Sequence, residues 1–134
     1  MFLSKYLQQV FQLSASQCKH VLPLFEEKHL KKGEEFQTSG QLDHGLIIVE
    51  SGIVREYFLD DGKEITKWIS KSNGIIVDLA TFLNQQPCRF SLQAIQETVI
   101  HRISYSNYQL LTQYIPDWSK KETELIAKCF TIIE

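Results

Sequence analysis

The sequence predicts a mainly β domain with flanking helices: a double-stranded β-helix, or jelly roll, followed by a long C-terminal dimerisation helix. Glycines recur along the middle of the chain, and the short runs between them are rich in Ile, Val, Phe, Tyr and Thr. Turn signals that alternate with such runs are typical of a barrel or a double-sheet jelly roll. Both ends of the chain instead carry apolar residues at helical spacing. The recurring glycines are Gly33, Gly40, Gly45, Gly52, Gly62 and Gly74.

Length and composition limit the class of protein. The chain has 134 residues, of which 43% are hydrophobic and 22% are charged, as expected of one globular domain with a sizeable core. Its net charge of -2 and its scattered Lys and Arg residues give no electrostatic reason to expect nucleic-acid or membrane binding. Contact with DNA is therefore expected only through a domain that is not in this chain.

The cysteines indicate the cellular compartment. Cys18, Cys88 and Cys129 lie far apart and form no C-x-x-C motif, so they offer no ligand set for zinc or an iron–sulfur cluster. We interpret them as reduced thiols of a cytoplasmic protein. Lys5 interrupts the first apolar stretch, and the apolar runs are short, so neither a signal peptide nor a membrane span is expected.

Residues 1–24 are predicted to form N-terminal helices. Ser14 or Ser16 is placed to cap a second short helix that continues through His20, and Pro23 would end it. The first helix is indicated by apolar residues at helical spacing, which are Phe2, Leu3, Tyr6, Leu7, Val10 and Phe11.

Residues 25–106 are predicted to form the jelly roll. The segments HGLIIVESG and IVREYFLDDG are interpreted as two strands hinged at residues 50–52, with Asp60-Asp61-Gly62 as the turn of a following hairpin. A short helix is expected from Asp78, and two further strands over residues 90–94 and 99–105. Trp68 and Phe82 are expected to belong to the core or to line a ligand cavity.

Residues 107–134 are predicted to return to helices, including the dimerisation helix. Ser119 and Glu122 match a capping box at the start of the last helix. The apolar stripe of that helix is wide enough to need a partner, which is either the chain's own barrel or a second copy. We favour a homodimer, because the chain ends at Glu134 while the helix is still apolar. The predicted interface residues are Trp118, Leu125, Ile126, Cys129, Ile132 and Ile133.

A set of short motifs occurs in a characteristic order with characteristic glycine spacings. The motifs are LKKGE at 30–34, SG at 39–40, IIVESG at 47–52, DGKE at 61–64, DLA at 78–80, QA at 93–94 and HRISY at 101–105. In this order they resemble the cyclic-nucleotide-binding domain of the catabolite-activator/FNR-type (Crp/Fnr) bacterial transcription regulators, from about Phe25 to the end of the chain. The resemblance implies a jelly roll whose pocket is closed by a phosphate-binding cassette, and a dimerising helix that leads to a helix-turn-helix DNA reader.

The resemblance implies an effector-sensing and dimerising role in transcription regulation. The helix-turn-helix DNA-binding domain is expected to be absent from this chain, because the sequence stops soon after the long helix. Two alternatives stay open. The chain could be a functional cAMP- or cGMP-binding module, or a stand-alone ligand-binding or scaffold protein without DNA binding.

The resemblance also places the cassette within residues 77–91. In the family, a glycine and an acid open a short helix, and the acid accepts a hydrogen bond from the ribose. An arginine and a neighbouring serine or threonine bind the cyclic phosphate. In this sequence Val77 takes the glycine position, the shorter Asp78 takes the acid position, and Leu79 and Ala80 match.

Counting without gaps places Cys88 at the arginine position and Arg89 at the serine or threonine position. Loss of the arginine would remove charged hydrogen bonds that contribute about 1.5–3 kcal/mol each. The cassette is therefore predicted to be degenerate, and ordinary cyclic-nucleotide binding is not expected. Arg89 replaces the lost ligand only if it faces the pocket, since a one-residue shift on a strand reverses a side chain. The candidate ligand-binding residues are Val77, Asp78, Leu79, Ala80, Cys88, Arg89 and Ser91.

Neither catalysis nor metal binding is predicted. Jelly rolls include metal-binding cupins, which need closely spaced histidines and a carboxylate, but His20, His29, His44 and His101 contain no H-x-H pair. We interpret His44 as a solvated turn residue and His101 as a surface residue of a strand. The chain is accordingly predicted not to be an enzyme, with no catalytic residue and no metal site.

Overall fold

The structure, a computed structural model, describes the backbone of residues 1–133 and the side chains of residues 1–129. The helices in this range are α1 (Phe2–Gln9), α2 (Ala15–Val21), α3 (Leu79–Phe82), α4 (Tyr105–Gln109), α5 (Leu111–Tyr114) and α6 (Trp118–Ile133). The strands are β1 (Phe25–Leu30), β2 (Glu35–Gln37), β3 (Gly45–Ser51), β4 (Val54–Asp60), β5 (Lys63–Ser70), β6 (Ile75–Ile76), β7 (Ser91–Ala94) and β8 (Thr98–Ser104). None of these helices is long and apolar enough to cross a bilayer.

The strands form two four-stranded antiparallel sheets that confirm the predicted jelly roll with flanking helices. The first sheet has the order β1-β8-β3-β6, and the second has the order β2-β7-β4-β5. Apolar side chains from both sheets meet in one buried cluster. Its members are Leu30, Ile47, Val49, Val54, Ile76, Leu92, Ala94 and Ile100.

Helices from both ends of the chain cover the outer face of the first sheet. Phe25, Leu46, Ile48 and Ile103 belong to a second buried cluster, which they share with side chains of the terminal helices. Strand β3 therefore contributes to two apolar clusters, and its first five residues are buried. This double burial explains the uninterrupted apolar run of β3, where a strand with one solvated face would alternate.

Local signals in the sequence are reproduced at two turns. Ser14 rather than Ser16 caps α2. Its hydroxyl accepts a hydrogen bond from the backbone amide of Gln17 at 3.1 Å, and its own backbone amide donates to the Gln17 side chain at 2.9 Å. Asp61 and Gly62 have positive φ values of 55° and 81°, which fit the two central residues of the predicted β4–β5 hairpin turn.

The start of α6 differs from the prediction. The helix begins at Trp118, so Ser119 lies within it, and the Glu122 carboxylate accepts a hydrogen bond from the Tyr108 hydroxyl. The predicted capping box is therefore wrong. The Trp118 ring stacks on Phe11 with 6.2 Å between ring centroids, because the first turn of α6 packs against the N-terminal region.

The apolar stripe of α6 is partly used within the chain itself. Trp118 and Leu125 are buried in the cluster shared with the first sheet, Cys129 is buried, and Ile126 is half-buried. Packing on the chain's own domain, the alternative that the sequence left open, thus accounts for Trp118 and Leu125. The Ile132 and Ile133 side chains lie outside the described residues. A dimer interface on this helix stays a prediction.

Gly52 carries the chain from β3 in the first sheet to β4 in the second, with a φ of +95°. A Cβ at this position would lie 2.3 Å from Thr98 Oγ1 and 2.5 Å from the Glu97 carbonyl oxygen. We expect Gly52→Ala to lower the free energy of unfolding by about 2–4 kcal/mol, because a steric clash adds to the backbone strain. Urea unfolding followed by tryptophan fluorescence measures this loss.

Gly62→Ala is the matched control, since Gly62 has a φ of +81° but a Cβ added there would have no neighbour within 4 Å. Only backbone strain remains at this turn, so a loss of about 1 kcal/mol is expected. Equal losses in the two variants would show that the close approach at Gly52 does not matter.

Candidate ligand-binding site

The cassette predicted from the sequence lies between β6 and β7 and contains the single turn of α3. The amides of Thr81 and Phe82 donate to the Asp78 carbonyl oxygen at 3.0 and 2.7 Å and so begin the helix. Phe82 is 1% exposed and meets the Tyr105 and Tyr108 rings edge-on, at 5.5 and 5.2 Å between centroids. Its burial fixes the cassette against α4.

Within α3, Leu79 is half-buried and Ala80 is exposed. The Ala80 carbonyl oxygen accepts from the Asn84 side chain at 2.8 Å, which holds the loop that follows the helix. The outer surface of the cassette is thus formed by a short polar loop.

Arg89 faces the cassette acid. Its Nη2 lies 2.5 Å from Asp78 Oδ1, its Nε lies 3.1 Å from Oδ2, and its backbone amide donates to Oδ2 at 3.2 Å. The Asp78 side chain is 4% exposed, whereas the Arg89 side chain is 55% exposed. The guanidinium therefore covers a buried carboxylate, and two predicted ligand-binding residues bind each other.

The ion pair keeps Asp78 charged. Burial alone would raise the pKa of this carboxyl, but hydrogen bonds from the Arg89 side chain and from Thr81, together with the Arg89 charge, hold the pKa below its usual value. The negative charge on Asp78 thus depends on the contact with Arg89.

Cys88, which the resemblance placed at the arginine position, is turned away from solvent. Its side chain is 2% exposed, and its thiol donates to the Thr38 carbonyl oxygen at 3.2 Å. Burial raises the pKa of this thiol, which keeps it protonated at neutral pH. Cys88 thus helps to attach the cassette loop to the segment after β2.

Ser91 is also engaged within the protein. Its buried hydroxyl accepts from the Ser39 amide at 2.9 Å. The structure therefore brings Asp78 and Arg89 together, while Cys88 and Ser91 are bound to the segment that follows β2.

A small cavity lies beside the cassette. Its volume is about 130 Å³. Its lining includes Glu56, Lys67, Trp68, Ile76 and Val77, and Val77 is half-buried. Pockets for drug-sized ligands usually have volumes of about 300–1,000 Å³. The Val77 side chain forms part of the wall of this cavity, and the cavity is smaller than that range.

The charged residues near the cavity form a second ion pair. Lys67 Nζ lies 3.6 Å from Glu56 Oε1 and 4.0 Å from the centroid of the Phe90 ring. Burial raises the pKa of Glu56, Lys67 opposes that rise, and the nearby Asp78 charge adds to it. The region thus contains two ion pairs, Asp78 with Arg89 and Glu56 with Lys67, so each cation is already paired with a carboxylate.

A larger cleft of about 610 Å³ lies along the second sheet, and its lining includes Thr38, Tyr57, Phe58, Arg89 and Phe90. Of the cassette, Arg89, Phe90 and Ser91 border this cleft, and Arg89 is the charged one among them. Its exposed side therefore faces open space, while its ion-paired side faces Asp78.

Sequence reasoning missed three side chains around the cassette. Glu56 and Lys67 lie on β4 and β5 among other alternating residues, so no local motif marks them. His44 was predicted to be solvated, but it is 4% exposed and its Nε2 lies 2.8 Å from the Gln86 carbonyl oxygen. That prediction is wrong, because the cassette loop folds over the turn before β3.

The family model of the cyclic nucleotide-binding domain matches residues 27–114, more than half of the chain. The chain belongs to this family. No curated protein sequence matches it. The matched range includes the cassette, residues 77–91.

Solved structures share the fold at low sequence identity. The Thermus thermophilus catabolite activator protein is 20% identical with a TM-score of 0.76, and the match covers 94% of this chain and 58% of that one. The sensor domain of the Pseudomonas aeruginosa transcriptional regulator DNR is 22% identical with a TM-score of 0.76, covering 96% and 91%. The regulatory domain of Toxoplasma gondii PKA, solved with cAMP, is 20% identical with a TM-score of 0.71, covering 81% and 42%. The chain thus spans little more than half of the Thermus protein.

Asp78→Asn is expected to lower the free energy of unfolding by about 1–2 kcal/mol at neutral pH, a value reduced because water screens the exposed Arg89. The folded-state pKa of Asp78 lies below its unfolded value, so the stabilisation is present above about pH 4. It disappears as the pH falls through the folded-state pKa. Urea unfolding of both proteins across this pH range measures the difference.

Asp43→Asn serves as the control for charge removal. Asp43 is 81% exposed and pairs with Arg102 at 2.9 Å, so its loss should cost less than about 1 kcal/mol. A cost for Asp78→Asn that is unchanged from neutral to acidic pH would contradict a stabilising charge on Asp78.

Proposed function

We propose that this chain is the effector-sensing, dimerising domain of a Crp/Fnr-like transcription regulator, with a cassette that does not bind cAMP or cGMP in the family's usual way. The observation that carries the proposal is the ion pair between Asp78 and Arg89. These are the two charged cassette residues that would otherwise meet the ribose and the phosphate.

A phosphate that bound Arg89 through its Nε and Nη2 edge would have to displace Asp78. The Asp78 carboxylate is 4% exposed and lies near Glu56, so it would be left buried beside another acid without its partner. Breaking one side of a fully buried pair costs about 3–5 kcal/mol, and the 55% exposure of Arg89 reduces that cost here. Two charged hydrogen bonds to phosphate contribute about 1.5–3 kcal/mol each. The cost therefore offsets part of the gain, and the net affinity for the phosphate is reduced.

The cavity supports the same proposal. Val77 narrows the space beside the cassette to about 130 Å³, and the Glu56–Lys67 pair occupies its polar side. A different small ligand that is less dependent on an unpaired cation fits this space better than a cyclic nucleotide. A cassette that binds no ligand is also consistent with it.

The regulatory role is supported by the order of motifs and by the fold. The resemblance to Crp/Fnr regulators covers the jelly roll and the helix that follows it, and the P. aeruginosa sensor domain matches 96% of the chain. In this proposal, DNA is contacted by a separate domain, since the chain's net charge of -2 gives no electrostatic reason for it to bind DNA itself.

Calorimetric titration of the full chain with cAMP and cGMP tests the cassette. We expect dissociation constants weaker than about 100 μM for both nucleotides, because the phosphate must compete with Asp78. Arg89→Ala should leave these weak affinities unchanged. Arg102→Ala, which removes another paired guanidinium away from the cassette, is the matched control. Micromolar binding that Arg89→Ala abolishes and Arg102→Ala preserves would overturn the proposal.

Sedimentation equilibrium tests the dimer. We expect the chain to dimerise through α6, and Ile126→Asp to raise the dimer dissociation constant about tenfold or more, because it places a charge in an apolar interface. Ile95→Asp is the control, since Ile95 is 38% exposed and lies beyond β7, away from α6. A wild-type chain that stays monomeric at all concentrations, or equal effects of both substitutions, would count against this interface.

A further inference from the structure

Three side chains of types that can bind a metal ion converge on the outer face of the first sheet. Glu27 on β1 is paired directly opposite His101 on β8. Glu50 lies on β3, the other neighbour of β8, where the register shifts between Val49 and Ser51. Glu50 lies two residues after Ile48, the direct partner of His101, so alternation places its side chain on the same face, and its carboxylate meets the His101 ring. His101 was predicted to lie on the surface, but it is 5% exposed, so that prediction is wrong.

We propose that Glu27, Glu50 and His101 form a binding site for a divalent transition-metal cation such as Zn²⁺. His101 Nε2 lies 2.7 Å from Glu50 Oε1 and 3.9 Å from Glu27 Oε1, and one ligand atom from each of the three residues lies within 4.8 Å of the others. Donors about 2.0–2.2 Å from a tetrahedral ion lie roughly 3.4 Å apart. The contacts of His101 with Glu50 and with Glu27 would have to change by about 0.7 Å and about 0.5 Å to reach that geometry.

The charge of the cluster matches a divalent cation. Two carboxylates and a neutral imidazole carry two negative charges between them. Among the described residues, the ion pairs of Glu27 and Glu50 are made with His29 and His101, and neither carboxylate pairs with a lysine or an arginine. The mutual repulsion of the carboxylates is thus opposed only by histidines, and a cation would relieve it.

The surrounding contacts orient the donors. The second Glu27 oxygen lies 2.9 Å from His29 Nε2, which holds the carboxylate from its outer side. The Phe2 ring of α1 stacks on the His101 ring at 5.6 Å and 15°, which fixes the plane of the imidazole with Nε2 toward both glutamates. Oriented donors of this kind support metal sites, and water would complete the coordination of an ion such as Zn²⁺.

This cluster shares no residue with the cassette, so its test is independent of ligand binding there. Titration of the metal-free full chain with Zn²⁺ by calorimetry is expected to give one ion per chain. Glu27→Gln should weaken the affinity by about 10–100-fold or more, because it removes a ligand at an exposed position without disturbing the core. Failure of the wild-type chain to bind more tightly than about 1 mM would overturn the proposal.

Glu26→Gln is the matched control. Glu26 is the adjacent exposed carboxylate of β1, and it pairs with Lys28 at 3.9 Å. The Zn²⁺ affinity of the Glu26→Gln variant should equal that of the wild type. Equal weakening in both variants, or wild-type affinity in Glu27→Gln, would show that the metal does not use this cluster.

Nitrogen NMR of the histidine rings locates the ion without a substitution in the core. Zn²⁺ is expected to shift the Nε2 resonance of His101 and to leave the ring of His20 on α2 unchanged. Binding that leaves His101 unshifted would place the ion elsewhere, at other histidines or at the cysteines, and would overturn the proposal.

Discussion

The arrangement of this domain depends on covering the outer face of the sheet β1-β8-β3-β6. Phe25, Leu46, Ile48 and Ile103 make that face apolar, and each square ångström of apolar surface removed from water contributes about 25 cal/mol. In a jelly roll, only the faces of the two sheets that meet inside the roll must be buried. Here the helices at the two ends of the chain are required to complete the core. They are part of one packed unit with the sheet, and Trp118 is buried for that reason.

This requirement also connects the cassette to both ends of the chain. Phe82 of the cassette contacts Tyr108, Tyr108 meets Trp118 edge-on at 5.7 Å between centroids, and Trp118 stacks on Phe11. The same cluster ends at Phe2, whose ring covers His101. A displacement of α3 would therefore have to be accommodated by side chains of α4 and α6. Contiguity of this kind is a spatial fact, and energetic coupling between the two regions is a separate quantity.

Features set by local residue order could be predicted from the sequence. The glycine spacing and the Asp61-Gly62 turn depend on backbone preferences that a few neighbouring residues determine. The predicted strands likewise follow from the residues within each segment, which is a continuous apolar run in β3. These features gave the fold class and the position of the cassette.

Features set by a distant covering element could not be predicted. Alternation places His101 on one face of β8, but it does not reveal that α1 will cover that face. The capping box at Ser119 was wrong for a similar reason, because tertiary contacts of Trp118 and Glu122 override the local motif. The sequence left the orientation of Arg89 open, because the rule that a one-residue shift reverses a side chain applies to strands. Arg89 precedes β7, which starts at Ser91, and a loop residue is free to turn toward Asp78.

The internal pairing of the cassette also affects how any effector would approach it. Opposite charges in contact cancel at distances beyond their separation, and salt screens what remains within about 8 Å at physiological ionic strength. The paired charges of Asp78 with Arg89 and of Glu56 with Lys67 therefore project little field into solution. A ligand would therefore reach the cassette by diffusion and be selected there by its shape, without attraction by these charges. Its association would be slow compared with electrostatically guided encounters and nearly independent of ionic strength.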